Sequence, residues 1–220
     1  MKKTKISVII TCYNLENYIS RSIASCINQT LDERDYEIIV VDDGSTDKSK
    51  DFINKFKGIV RFINCQNNSG VAHASNLGIK ESKGTYIVRV DGDDYINKNF
   101  LKTTKEILDY NEDIGFVYCD HIVVNEKLER KMELNTLEKI LDHGAGIVFR
   151  KKYLDILGGY EEKYSTREDY DLISRYFKNF DGYHLRLPYY RYFKRNNSLS
   201  SDRLTREIEK QKIEKKWSKQ

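Results

Sequence analysis

Long hydrophobic runs are missing from this sequence. The apolar stretch at residues 6–10 is too short for a membrane span or a leader's core and runs into polar residues, although Met1-Lys2-Lys3 before it carries the charge of a leader's first segment. The four cysteines, Cys12, Cys26, Cys65 and Cys119, form no Cys-x-x-Cys pair. Several fall in expected strands or helices, where they read as small core residues of a protein in a reducing compartment. A cytoplasmic location is therefore expected. His73, His121 and His184 show no ligand spacing, which argues against a zinc site. The net charge is only +4, so no nucleic-acid partner is expected. The first turn lacks the Gly-x-Gly-x-x-Gly fingerprint, which counts against a nicotinamide enzyme. Tryptophan occurs once against 16 tyrosines, a usage that suits a polar-aromatic pocket for sugars or bases, or simply reflects compositional bias.

What is present is one soluble α/β domain's worth of chain: 220 residues, 39% hydrophobic and 33% charged. Residues 5–12 are a β-branched apolar run, the pattern of a strand buried on both faces. A polar turn at 14–17 leads to a helix over 18–28 with Ile19, Ile23 and Ile27 on one stripe. A second strand is expected at 36–41. Asp47 is placed to cap a helix reaching Phe56, with Phe52, Ile53 and Phe56 facing inward. A third strand at 59–64, a helix at 70–81 closed by Lys83-Gly84, and a fourth strand at 85–90 follow. This alternation predicts a mostly parallel sheet with helices on both faces.

Polar clusters stand at the carboxyl end of every one of these strands, where such sheets bind ligands. They are Thr11-Cys12-Tyr13-Asn14, Asp42-Asp43-Gly44-Ser45-Thr46-Asp47, Asn67-Asn68-Ser69-Gly70 and Asp91-Gly92-Asp93-Asp94. A solvated loop explains any one of them, but poorly explains four on one edge. The last cluster is the most demanding. Carboxylates this close raise one another's pKa unless a cation sits between them, and Asp oxygens suit Mg²⁺ or Mn²⁺. Gly92 is expected to let the backbone turn sharply and a bulky ligand come close.

Ser7-Val8-Ile9-Ile10-Thr11-Cys12-Tyr13-Asn14, Val41-Asp42-Asp43-Gly44-Ser45-Thr46-Asp47, Val90-Asp91-Gly92-Asp93-Asp94, Gly158-Gly159-Tyr160 and Glu168-Asp169-Tyr170-Asp171-Leu172 resemble, in order, the blocks of family 2 glycosyltransferases of the GT-A fold. The resemblance covers about the first nine-tenths of the chain. It implies a GT-A domain over 1–200, followed by a basic helical tail at 201–220. It also implies roles. Thr11, Tyr13 and Asn14 belong to the block that holds the nucleotide, the Tyr13 ring lying against the base. Asp43 matches the carboxylate that accepts the uracil imide N–H, with Asp42 its close competitor. Asp91 matches a ribose or water contact, Asp93 the ligand of Mn²⁺ or Mg²⁺, and Asp169 the catalytic base. The implied reaction moves a sugar, with inversion, from a nucleotide-diphosphate donor, UDP first among them. The acceptor is a hydroxyl of a glycan or lipid-linked molecule in surface polysaccharide synthesis. The alternative is a nucleotide-sugar-binding module of the same fold without transfer activity. Glu168 and Asp169 read equally as acids of a helix's first turn.

The chain departs from this pattern in places. Ser75 stands where relatives often carry Arg, leaving a phosphate or base contact missing or supplied by His73 or Arg89. In the block Tyr192-Phe193-Lys194-Arg195, continuing through 196–200, Arg195 stands where His is usual. Arg cannot ligate a cation but can fork onto a diphosphate, or simply be a solvated strand end. His143, in the loop with Gly144 and Gly146, aligns with a donor-sugar and acceptor loop, and Glu168, as the neighbour of Asp169, is a further candidate donor or acceptor contact, as is Arg195. In the tail, Leu204, Ile208, Ile213 and Trp217 make a thin apolar stripe among lysines. Docking on the domain or dimer packing is the favoured reading, and a peripheral membrane contact the second.

Overall fold

The computed structural model describes residues 5–135, 137–195 and 202–217. The leader-like Met1-Lys2-Lys3 and residues 196–200 of the last block lie outside the described residues, as does the side chain of Trp217. The described strands form one nine-stranded sheet. Its first half is built from β1 (Ile6–Cys12), β2 (Tyr36–Asp42), β3 (Arg61–Asn64) and β4 (Tyr86–Asp91), in the order β3-β2-β1-β4 and all parallel. Each parallel link passes through a helix: α1 (Ile19–Ile27), α2 (Ser49–Asn54) and α3 (Val71–Glu81).

All seven residues of β1 are buried, because the strand has a neighbour on either edge and helices on both faces. Its alternate residues separate two cores. Ile6, Val8, Ile10 and Cys12 pack with Ile19, Ile23 and Cys26 of α1 and with Phe100 and Leu108 of α4 (Phe100–Tyr110). Ile9 faces the other core with Ala72, Ala74 and Ile79 of α3. The same core takes Leu154 of α6 (Lys151–Leu157) and Leu172, Ile173 and Tyr176 of α7 (Glu168–Asn179).

Element boundaries differ from the sequence pattern where glycine intervenes. Asp47 Oδ1 accepts the Ser49 N–H at 2.9 Å, but the expected cap position of α2 falls to Lys48, which makes no side-chain cap bond, and Asp47 stands one residue before it. That helix stops at Asn54 rather than Phe56. Gly58, at φ +90°, turns the chain, leaves Ile59 exposed and delays the third strand to Arg61.

The second half of the sheet is mixed, which the alternation of elements did not foretell. It comprises β5 (Tyr95–Ile96), β6 (Ile114–Asn125), β7 (Arg130–Glu133), β8 (Ile147–Arg150) and β9 (Asp181–Lys194). The order continues β4-β8-β6-β9-β5, with β7 beside β6. β8 runs antiparallel to both β4 and β6, while the long β9 returns parallel to β6. The β6–β9 ladder slips between Cys119 and His121, where Pro188 stands opposite Asp120 and has no N–H to give. This irregularity carries the last part of β9 across to the carboxyl end of β4.

The short α5 (Leu137–His143) precedes β8, and α8 (Arg203–Trp217) closes the chain. The tail docks on the domain. Ile213 is fully buried, and Glu209 accepts from the backbone N–H and hydroxyl of both Ser165 and Thr166 at 2.9–3.1 Å. Lys216 Nζ reaches Asp171 at 3.2 Å. Leu204 and Ile208 of the expected stripe remain exposed. Among the described residues no helix is long and apolar enough to cross a membrane.

Candidate active site

A cleft of about 1010 Å³ opens at the carboxyl ends of β1, β2 and β4. Its far wall comes from the start of α7, the end of β9 and the first turn of α8. The parallel strands thus deliver one wall, and residues from the last quarter of the chain deliver the other.

At the β1–β2 end, Tyr13 is 43% exposed and presents its ring to the cleft. Thr11 is buried, its Oγ1 3.3 Å from Asp91 Oδ1. The structure separates Asp42 from Asp43. Asp42 is fully buried away from the cleft wall and accepts the Ser45 N–H at 3.0 Å. Asp43 lines the cleft, and its carboxylate accepts the backbone N–H groups of Ser69 and Gly70 at 2.7–3.1 Å. Those bonds anchor it against the start of α3 and leave lone pairs for a further donor. Asn14 sits at φ +53°, and its side-chain oxygen accepts from Thr46 N–H at 2.8 Å. Its carbonyl therefore shapes the 45–47 loop.

The acidic cluster is divided among three partners. Asp94 is buried, with Tyr190 Oη donating at 2.8 Å and Phe193 N–H at 2.7 Å, which pins the end of β9 to β4. Burial raises its pKa well above the ordinary carboxylate range. Asp93 accepts from Arg195 Nε at 2.6 Å. Burial and the neighbouring Asp91 push the Asp93 carboxyl up, and Arg195 opposes them. Asp91 lies 3.1 Å from Arg89 Nε. The cation that the cluster requires is thus supplied in part by two arginines. Gly92 has no left-handed φ. The expected turn is present, Asp94 N–H donating to the Asp91 carbonyl at 2.9 Å, and close packing against the end of β1 demands glycine, since a Cβ would stand 2.7 Å from the Thr11 carbonyl oxygen.

Arg89 is the centre of the site. Its guanidinium reaches Asp91, Glu168 Oε1 at 3.0 Å and Asp169 Oδ1 at 3.0 Å, and lies 5.1 Å from the Tyr160 ring centroid. The contact to Asp169 is an ion pair outside hydrogen-bonding direction. Glu168 and Asp169 occupy the first turn of α7, with Arg167 at the N-cap position, so the acids sit at the positive end of the helix dipole. Burial nevertheless drives the Asp169 carboxyl well above the ordinary range; Arg89 pulls it down and Glu168 pushes it up. A carboxylate moved toward neutrality is a stronger base. Glu168 is almost fully buried against Arg89.

His143 lines the cleft, but both its nitrogens are engaged. Ala145 N–H donates to Nδ1 at 3.0 Å, so Nδ1 carries no proton and Nε2–H donates to Asn135 Oδ1 at 3.1 Å. Burial, reinforced by His121, pushes its pKa down to about 3, so the ring is neutral at physiological pH. Of the two substitutes for the missing arginine, His73 pairs with Glu162 at 3.2 Å, whereas Arg89 lies on the cleft wall. Ser75 is buried and bonds back to the Val71 carbonyl at 2.7 Å.

In the sequence Arg89 has only a substitute's part, although a cation inside an apolar strand two residues before an acid is a visible signal. Tyr190, and Arg21, whose Nη2 holds the Asp93 carbonyl at 2.8 Å, carry no such signal. Gly144 does. At φ +58° it forms a left-handed turn, and a Cβ there would stand 2.8 Å from Asp169 Cγ and Oδ2. Gly144→Ala should therefore displace the Asp169 carboxyl. Turnover should drop roughly ten- to hundredfold, the scale of an ångström's misplacement, with nucleotide affinity unchanged. Steady-state kinetics beside calorimetric nucleotide binding checks this, and an unaltered turnover would sink it.

The sequence matches the protein-family model described as Glycosyl transferase family 2 over residues 7–194. It is 45% identical over 101 residues to a poly(ribitol-phosphate) beta-glucosyltransferase of Bacillus spizizenii, covering 44% of this chain and 16% of that protein. It is 31% identical over 180 residues to the chondroitin synthase of Pasteurella multocida, covering 76% of this chain and 18% of the relative. The chain thus spans less than a fifth of either protein. The crystal structure of S. aureus TarS residues 1–349 in complex with UDP-GlcNAc superposes with a TM-score of 0.80 at 25% identity, covering 90% of this chain and 61% of that one. The fold is that of the GT-A glycosyltransferases, and the chain belongs to glycosyl transferase family 2.

Proposed function

We infer that the chain transfers a sugar, with inversion, from a UDP-sugar to a hydroxyl of a growing surface polysaccharide or lipid-linked glycan. The observation that carries this reading is Arg89. One buried guanidinium joins Asp91, on the donor wall, to Asp169, on the opposite wall, across a cleft large enough for a nucleotide sugar. Tyr13 offers stacking area for the base. Asp43, anchored by Ser69 and Gly70, accepts the uracil imide N–H on its remaining lone pairs; cytosine offers a bare ring nitrogen there and no such proton. The TarS complex with UDP-GlcNAc and the polymer glycosyltransferases among the relatives support donor and acceptor class.

Asp169 removes the acceptor proton as the hydroxyl attacks the anomeric carbon, and attack opposite the departing UDP inverts that centre. Arg89 holds the base in place and Glu168 fills the guanidinium's third side. Among the described residues no group of three His, Cys, Asp or Glu encloses a metal. The donor set nevertheless fits Mn²⁺ or Mg²⁺ bound jointly with phosphate oxygens, Asp93 being the ligand and Asp91 its neighbour. Such an ion, when bound, offsets charge on the leaving diphosphate. A cytoplasmic enzyme meeting its acceptor at the inner membrane face, alone or as a homodimer, goes with this chemistry.

The test is calorimetry with UDP, GDP and CDP in Mn²⁺ and in EDTA, followed by nucleotide release from UDP-, GDP- and dTDP-sugars. UDP is expected to bind at least about tenfold tighter than CDP, as losing a buried acceptor's partner implies, and more tightly than GDP. EDTA should weaken it. Equal affinities would overturn the uracil assignment, and binding without release of UDP from any UDP-sugar would favour the inactive module.

A further inference from the structure

We propose that Arg195 and a divalent cation exchange places on Asp93 as the donor arrives. In the free protein Arg195 holds the carboxylate. The incoming diphosphate draws the guanidinium onto its own oxygens, and the cation joins only together with the nucleotide. This rests on the reading of Asp93 as the metal ligand and says how its use is timed.

The geometry of the corner carries the inference. Arg195 Nε stands 2.6 Å from Asp93 Oδ2, a charge-assisted bond, with the two side chains only 21% and 13% exposed. Both residues line the cleft. Asp93 is not free to swing away, because Arg21 Nη2 holds its carbonyl at 2.8 Å. Arg21 is itself packed 4.5 Å and 4.4 Å from the ring centroids of Tyr95 and Phe193. The neighbouring carboxylates give no alternative foothold. Asp94 is taken by Tyr190 and Phe193, and Asp91 by Arg89. Without a three-ligand cage among the described residues, a cation arriving alone meets one carboxylate already neutralised. A cation arriving with a diphosphate brings oxygen ligands of its own. The diphosphate also gives Arg195 an anion that a planar guanidinium fits as a fork.

Arginine and cation compete for Asp93, so removing the arginine strengthens one ligand and weakens the other. The experiment is a Mn²⁺ titration of the full chain followed by the electron paramagnetic resonance signal of free Mn²⁺, with and without UDP. Wild type is compared with Arg195→Gln and Arg195→Lys, all checked for unchanged melting. Wild type should bind Mn²⁺ markedly better with UDP than without. Arg195→Gln should bind Mn²⁺ alone about tenfold more tightly and UDP in Mn²⁺ about tenfold more weakly, the ordinary size of such couplings, with Arg195→Lys between. UDP-dependent Mn²⁺ binding in wild type, with Arg195→Gln no better at binding Mn²⁺ alone, overturns the exchange and leaves the metal assignment standing. No Mn²⁺ binding to any of the proteins even with UDP overturns both.

Discussion

Asp169→Asn should lower sugar transfer by about two to four orders of magnitude, the usual share of general-base catalysis, and leave UDP affinity within about twofold. Asparagine keeps the shape that fits beneath Gly144 and an oxygen to face Arg89, but it cannot take the acceptor's proton. The pH dependence gives a second readout. Burial raises the folded Asp169 carboxyl above its ordinary value of 3.8, so the native state keeps a proton that the unfolded chain has lost. In that window stability falls as pH rises, because the native state binds more protons. Asparagine has no proton to lose. The variant should therefore gain stability relative to wild type as pH rises above 4, by calorimetric melting at each pH. Wild-type transfer should rise with pH through the same titration. Retained transfer in the variant would move the base elsewhere. Neither remaining neighbour fits well, since Glu168 is buried against Arg89 and His143 has both nitrogens engaged. Lost UDP binding would place Asp169 in the donor site and overturn the mechanism.

Arg89→Met should be the most destabilising change near the site. The substitution leaves Asp91, Glu168 and Asp169 facing one another without the cation that joins them. Removing one partner of a buried ion pair costs about 3–5 kcal/mol. For a chain of this size that is roughly a 6–20 °C loss in melting temperature. The sign of its pH dependence follows from Asp169, whose pKa Arg89 lowers. Without the arginine that carboxyl titrates at still higher pH, so the native variant holds its proton further toward neutrality. The deficit should grow as pH rises from 4 toward neutrality. Arg89→Lys should recover only part of it, because one ammonium cannot span the fork that reaches three carboxylates. Urea unfolding across this pH range measures this. A variant as stable as wild type at pH 7 would show that the guanidinium does not hold the site together.

The order of the first four strands, their helices and the edge that collects the polar clusters were all legible in the residues. Those features depend on local periodicity: alternate positions of β1 fall in different cores, and Ile19 and Ile23 share one helix face. The acids of the site were legible too, since each follows a strand or opens a helix. What each acid does with its charge was not. Asp42 and Asp43 are chemically the same pair until the fold buries one and turns the other to the cleft. Asp91, Asp93 and Asp94, which read as one cluster in the sequence, meet three different partners in the fold. Glu168 meets Arg89 across 79 residues, Tyr190 meets Asp94 across 96, and Arg195 meets Asp93 across 102. The last two pairings exist because β9 runs parallel to β6, slips at Asp120 and arrives beside the end of β4. Periodicity determines which residues lie on a face. Which charge a buried carboxylate meets is decided by long-range packing, and with it whether that carboxylate is a strut, a counter-ion or a base.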